Sequence, residues 1–64
     1  MALYIDGRRT AGKFAKAITV SALLSRLGLG RERALVRRNG RLITEFDEVS
    51  PQDRVEVFTV GSQG

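Results

Sequence analysis

The 64-residue sequence predicts an α+β fold, a mixed sheet of four to five strands with one main helix packed on one face. Three observations carry this: two dipeptides suited to tight hairpin turns, Asp6-Gly7 and Asn39-Gly40; one amphipathic stripe from Val20 to Leu27; and an alternating segment, Arg54 to Val60.

The first strand is the apolar run Ala2-Leu3-Tyr4-Ile5. Asp6-Gly7 then tolerates the positive φ angles of a two-residue hairpin turn, so a returning strand is expected within Arg8 to Ala17. Gly12 interrupts that strand and Phe14 is its only large apolar residue, which predicts an edge strand with a bulge or bend. Arg8, Arg9, Lys13 and Lys16 would guard that edge against pairing with other chains.

Thr19 is a good N-cap, and Val20, Leu23, Leu24 and Leu27 follow at i, i+3, i+4 and i+7, which places them on one helix face. Arg26 suits the negative end of the helix dipole, and Gly28 supplies a left-handed stop with Leu29 as its hydrophobic contact. A helix this short is marginal alone and must be held against the sheet.

Ala34 to Arg38 reads as a strand, Asn39-Gly40 as the second hairpin turn, and Arg41-Leu42-Ile43 as the return. Thr44 to Asp53 is a polar connection with a proline turn at Ser50-Pro51-Gln52-Asp53, in which Phe46 and Val49 are expected to anchor the loop to the core. In the last strand Val55, Val57 and Thr59 share one face and Glu56, Phe58 and Val60 the other. With Val55 and Val57 against the helix, Phe58 and Val60 lie on the open face. This order of elements suggests the β-grasp, with the first and last strands adjacent in the centre. The domain is expected to span residues 1–60, followed by a flexible tail, Gly61, Ser62, Gln63 and Gly64, too poor in apolar surface to offset the entropy of ordering it.

The chain has neither Cys nor His, which removes disulfides, thiolate nucleophiles, imidazole bases and the usual zinc ligands. No catalytic or metal site is therefore expected. Residues 1–43 hold ten Lys/Arg against two acids, and residues 44–64 one Arg against five acids. Such a basic body can steer toward nucleic acid or toward an acidic protein. The four aromatics, Tyr4, Phe14, Phe46 and Phe58, are mostly needed in so small a core, so nucleic acid is not the expected partner. There is no apolar run of bilayer length and no signal-peptide pattern, so a cytoplasmic location without membrane contact is expected.

Three segments in order resemble the small ubiquitin-like sulfur carriers of thiamine and molybdopterin biosynthesis. Thr19-Val20-Ser21-Ala22-Leu23-Leu24-Ser25-Arg26-Leu27-Gly28 is similar to their T-V-x-x-L-L-x-x-L-G helix. Val36 to Ile43 is similar to their V-x-x-N-G-x-x-V hairpin, and Asp47 to Val57 to their D-x-V-x-x-x-D-x-V-x-V close. The resemblance implies a non-catalytic carrier. In that family a partner adenylating enzyme uses ATP and Mg²⁺ to activate the carrier's C-terminal carboxylate, and a persulfide converts it to a thiocarboxylate that a sulfur-accepting synthase consumes. Gly64 would be the activated residue, and the carrier itself would bind no cofactor and be monomeric when free. The family usually ends in Gly-Gly, whereas this chain ends in Gln63-Gly64. Phe58 and Val60, with Leu35 or Leu42, would form a docking patch, and Arg37 and Arg41 would pair with acidic groups of the partner. A basic nucleic-acid-binding β-grasp module and a ubiquitin-like protein modifier are the alternative functions.

Overall fold

The computed structural model describes residues 1–12 and 14–60. Lys13 and the tail residues Gly61, Ser62, Gln63 and Gly64 lie outside the described residues, and with them the expectations placed on the tail. The chain runs through β1 (Ala2–Ile5), β2 (Arg8–Thr10), β3 (Ile18–Thr19), α1 (Val20–Leu27), a 3₁₀ turn (Arg31–Arg33), β4 (Ala34–Arg38), β5 (Arg41–Ile43), β6 (Glu48–Val49) and β7 (Arg54–Thr59).

Five of these strands form one mixed sheet in the order β2-β1-β7-β4-β5, the β-grasp topology. β7 is central, parallel to β1 with Leu3 opposite Val55, and antiparallel to β4 with Val36 opposite Val57. Each hairpin turn has the expected backbone. Asp6 and Gly7 take φ of 51° and 83°, and Asn39 and Gly40 take 52° and 86°. The returning strand after the first turn is shorter than the interval available to it and ends at Thr10. Gly12 then passes so close to β1 that a Cβ there would stand 3.0 Å from the Leu3 side chain and force it to shift by a few tenths of an ångström.

Helix α1 begins and ends on the residues its sequence marks. Thr19 Oγ1 accepts from the Ala22 N–H at 3.1 Å, and Gly28 closes the helix in the left-handed region at φ 74°. The Leu29 N–H donates to Leu24 O at 2.9 Å. Val20 and Ser21, whose N–H groups have no partner inside the helix, donate to the carbonyls of Asp47 and Glu45 at 2.8 and 3.1 Å. The loop after β5 is thereby tied to the helix start. Val20, Leu23 and Leu24 meet Leu3, Val36, Val49, Val55 and Val57 in one core, with Ile5, Phe14, Ile18 and Leu27 at its margin.

Two expectations for the 44–53 connection need correction. It is not a plain loop, because Glu48–Val49 pairs antiparallel with Ile18–Thr19 in a separate two-stranded sheet. Val49 is buried as expected, but Phe46 is 82% exposed. The turn explains this: Asp47 Oδ2 accepts from the Thr44 N–H at 2.8 Å and from Thr44 Oγ1 at 3.2 Å, and this closure leaves Glu45 and Phe46 at the apex. The proline turn forms with the Asp53 N–H donating to Ser50 O at 3.0 Å.

Asp6, Asp47 and Asp53 have carboxyls held below their ordinary value of 3.8, chiefly by hydrogen bonds from Thr59, Thr44 and Ser50 respectively. A carboxylate with a depressed folded-state pKa stabilises the fold fully above its unfolded value and loses that contribution as pH falls through the folded one. Urea midpoints are therefore expected to hold steady down to about pH 4 and to decline below it. The Asp47→Asn, Asp53→Asn double variant should flatten the acid limb, and an unchanged slope would contradict these bonds.

Candidate partner-docking face

Strand alternation divides the sheet into a face covered by α1 and a face left open. Because Leu3, Val36, Val55 and Val57 point to the helix, the residues between them point away. Tyr4 on β1, Arg9 on β2, Arg54, Glu56 and Phe58 on β7, Leu35 and Arg37 on β4 and Leu42 on β5 share this open face. The register places Leu35 opposite Phe58, Arg37 opposite both Glu56 and Leu42, and Tyr4 opposite Arg9.

One half of the face is apolar. Leu35 is 51% and Leu42 65% exposed, beside the half-buried Phe58. Val60, 40% exposed, follows β7 directly, and its N–H donates to Arg33 O at 2.8 Å. The other half is an interlocked charged surface. Arg37 lies over the Phe58 ring at 5.4 Å and donates from Nε and Nη2 to Glu56 Oε1 at 3.1 and 2.9 Å. Arg54 and Arg9 lie 4.6 and 5.7 Å from the centroid of the Tyr4 ring. These guanidinium groups are fixed by stacking and hydrogen bonds at little further entropic cost.

Phe58 and Arg37 therefore occupy the surface the sequence assigns them. Arg41 does not: it sits opposite Arg38, in phase with Val36 and Ile43, on the helix side of the sheet. A one-residue offset along a strand reverses the face, and the hairpin register fixes Arg41 one place out of phase with Leu42. Of the arginines around the second hairpin, Arg31 pairs with Glu45 at 2.8 Å, and Arg38 donates to the Glu48 carbonyl. Tyr4, Arg9 and Arg54 were missed, although the Leu3-Tyr4-Ile5 alternation already places Tyr4 on the face opposite the core.

The same geometry bears on chemistry. Among the described residues no group of three or more acids stands where it could hold a metal ion. Asp47 and Asp53 are spent as acceptors closing turns and Asp6 as an acceptor from Thr59, which holds them ionised at neutral pH and unsuited to proton transfer there. Among the described residues no helix is long and apolar enough to cross a membrane. What the surface offers is a rigid apolar and arginine-rich face adjoining the end of the central strand.

Comparison with known proteins agrees with this architecture. The ThiS family model matches residues 4–62. The crystal structure of a thiamine biosynthesis protein (ThiS) from Geobacter metallireducens superposes with a TM-score of 0.65 at 26% identity, covering 100% of both chains. A solution structure of a thiamine biosynthesis protein from the same organism gives 0.59 at 26% identity, covering 100% of this chain and 86% of that one. A search of curated protein sequences finds no significant match.

Proposed function

The chain belongs to the ThiS family, and from that membership we propose that it is a sulfur carrier of thiamine biosynthesis whose reacting group is the Gly64 carboxylate. The observation that carries the reading is the family match across residues 4–62 on a fold that leaves an apolar sheet face beside the end of β7.

The chemistry follows from the weakness of a carboxylate as an electrophile. A partner adenylating enzyme, using ATP and Mg²⁺, joins the Gly64 carboxylate to AMP and releases pyrophosphate. The terminal sulfur of a persulfide then attacks the carbonyl carbon and AMP departs with the bonding electrons. A thiol cleaves the resulting S–S bond, forming a disulfide and leaving the thiocarboxylate. A sulfur-accepting synthase consumes it. Glycine suits the reacting position because no Cβ obstructs attack. Gln63 sets a side chain where the family usually has a second glycine, so the partner's channel must accept it.

The carrier's part is delivery. Four residues beyond Val60 extend at most about 14 Å, so the docked face must lie within that distance of the activating site. The partner meets Leu35, Leu42, Phe58 and Val60 with apolar surface and Arg37 with an acidic group. The test is intact mass after incubation with a ThiS-type adenylating enzyme, ATP and a persulfide donor. A gain equal to the difference between sulfur and oxygen supports the reading, and no gain with any such enzyme overturns it. Leu35→Asp is expected to raise the KM for the carrier roughly tenfold or more, since it places an unpaired charge inside the interface. Phe46→Asp, in a turn whose Glu45 and Asp47 carbonyls are bonded to the start of α1, should leave KM unchanged.

A further inference from the structure

The two hairpin turns do more than reverse the chain, because the first residue of each is bonded to one end of β7. At the strand's start, the Asn39 N–H donates to Arg54 O at 2.8 Å and Asn39 Oδ1 accepts from the Arg54 N–H at 2.9 Å. At its end, Asp6 Oδ1 accepts from the Thr59 N–H at 2.9 Å and Asp6 Oδ2 from Thr59 Oγ1 at 2.6 Å. The Asp6 N–H also donates to Val57 O at 2.8 Å, and Val60 is held from the other side by Arg33 O.

The turn between β1 and β2 does not itself require a carboxylate. A type I′ turn asks only for positive φ at its first central residue, which Asn and Gly also supply. Thr59 and Val60 lie beyond the last parallel β1–β7 pair, Ile5 with Val57, where the β1 ladder can no longer hold β7. The Asp6 side chain takes over there. It is a two-pronged acceptor matched to the two donors of one threonine, 53 positions away in the chain.

We propose that Asp6 is a positioning residue for sulfur loading: by clamping Thr59, it fixes the end of β7, the anchored point from which the chain continues to Gly64. The proposal rests on the carrier reading above. The docked face fixes the body of the carrier, and the Asp6 clamp fixes the root from which the reacting carboxylate is aimed. Misdirection at the root lowers the fraction of docked complexes with the carboxylate in attack geometry, so the loss falls on turnover and not on docking.

Asp6→Gly keeps the turn, since glycine adopts φ of 51° without strain, and removes both acceptors. Amide hydrogen exchange of Thr59 in the free protein is expected to speed up by roughly tenfold while the Val57 amide stays protected. Adenylation kcat should fall roughly three- to tenfold with KM for the carrier changed less than twofold. Thr59→Val, which deletes only the hydroxyl prong, should show a smaller loss of the same kind. Asp6→Asn should restore wild-type turnover, its amide oxygen accepting from the Thr59 N–H and its NH₂ donating to Thr59 Oγ1.

Unchanged Thr59 exchange in Asp6→Gly overturns the clamp. Faster exchange with unchanged kcat overturns the positioning role, as does a loss confined to KM. Should the wild-type chain gain no sulfur, the carrier reading and the positioning role fall together, and the exchange data alone then define a purely structural clamp.

Discussion

Deleting Gly64 is expected to abolish sulfur loading and leave the fold untouched. The deletion moves the terminal carboxylate back by one residue, about 3.5 Å along an extended chain. It also substitutes Gln63, with its Cβ and side chain, at the reacting position. Displacement of a reacting group by about 1 Å can cost a hundredfold in rate, so a shift of this size takes the reaction below detection. Intact mass spectrometry after incubation with the adenylating enzyme, ATP and a persulfide donor is the check. Urea unfolding of the shortened chain should superimpose on that of the full chain, because every core residue from Leu3 to Val57 is retained. Retention of the mass gain would remove Gly64 from the mechanism and move the chemistry to another carboxylate.

Leu23→Ala is expected to have the largest effect on stability. Leu23 has no exposed surface and lies on α1 among Leu3, Val36, Val49, Val55 and Val57. Truncating a buried leucine costs about 2–5 kcal/mol, the lost transfer energy plus the cavity left behind. A domain this small holds only about 3–5 kcal/mol in its core, and no disulfide supplements it here. The variant should therefore be largely unfolded at 25 °C, read by far-UV circular dichroism against urea. Leu42→Ala is the control. Leu42 is 65% exposed, and its truncation should shift the midpoint little. A loss below about 1 kcal/mol for Leu23→Ala would show that the helix is not held by this core.

The contrast between Leu23 and Leu42 shows what was legible in the chain. The helical stripe and its caps are local signals, each complete within a few residues, and α1 starts after Thr19 and stops before Gly28 as the sequence indicates. Both hairpin turns are read from two residues each, the order of elements puts β7 in the centre, and the Val55 and Val57 alternation turns its correct face inward. Phe58 follows by parity.

Other features had no such signal. Strands β3 and β6 have two residues each, too short to show any period, and they exist because each supplies the other's hydrogen bonds. Phe46 looks like core by composition, and only the closure of Asp47 on Thr44 puts it outside. Arg41 was grouped with Arg37 because both are near one turn, while the pairing register sends them to opposite faces.

The sequence by itself determined α1 and the strands of the main sheet, their order, the turn geometry, the buried stripe of α1 and the family resemblance. Each of these depends on residues close together in the chain. The tertiary structure alone decided how the open face is assembled, with Tyr4, Arg9, Arg54, Glu56, Arg37, Phe58, Leu35 and Leu42 drawn from five strands. It alone brought Asp6 to Thr59. The physical reason is that a hydrogen bond or a stacked pair between distant residues leaves no periodicity in the chain. It forms only once burial of Leu3, Val36, Val55 and Val57 has fixed the register that sets those partners side by side.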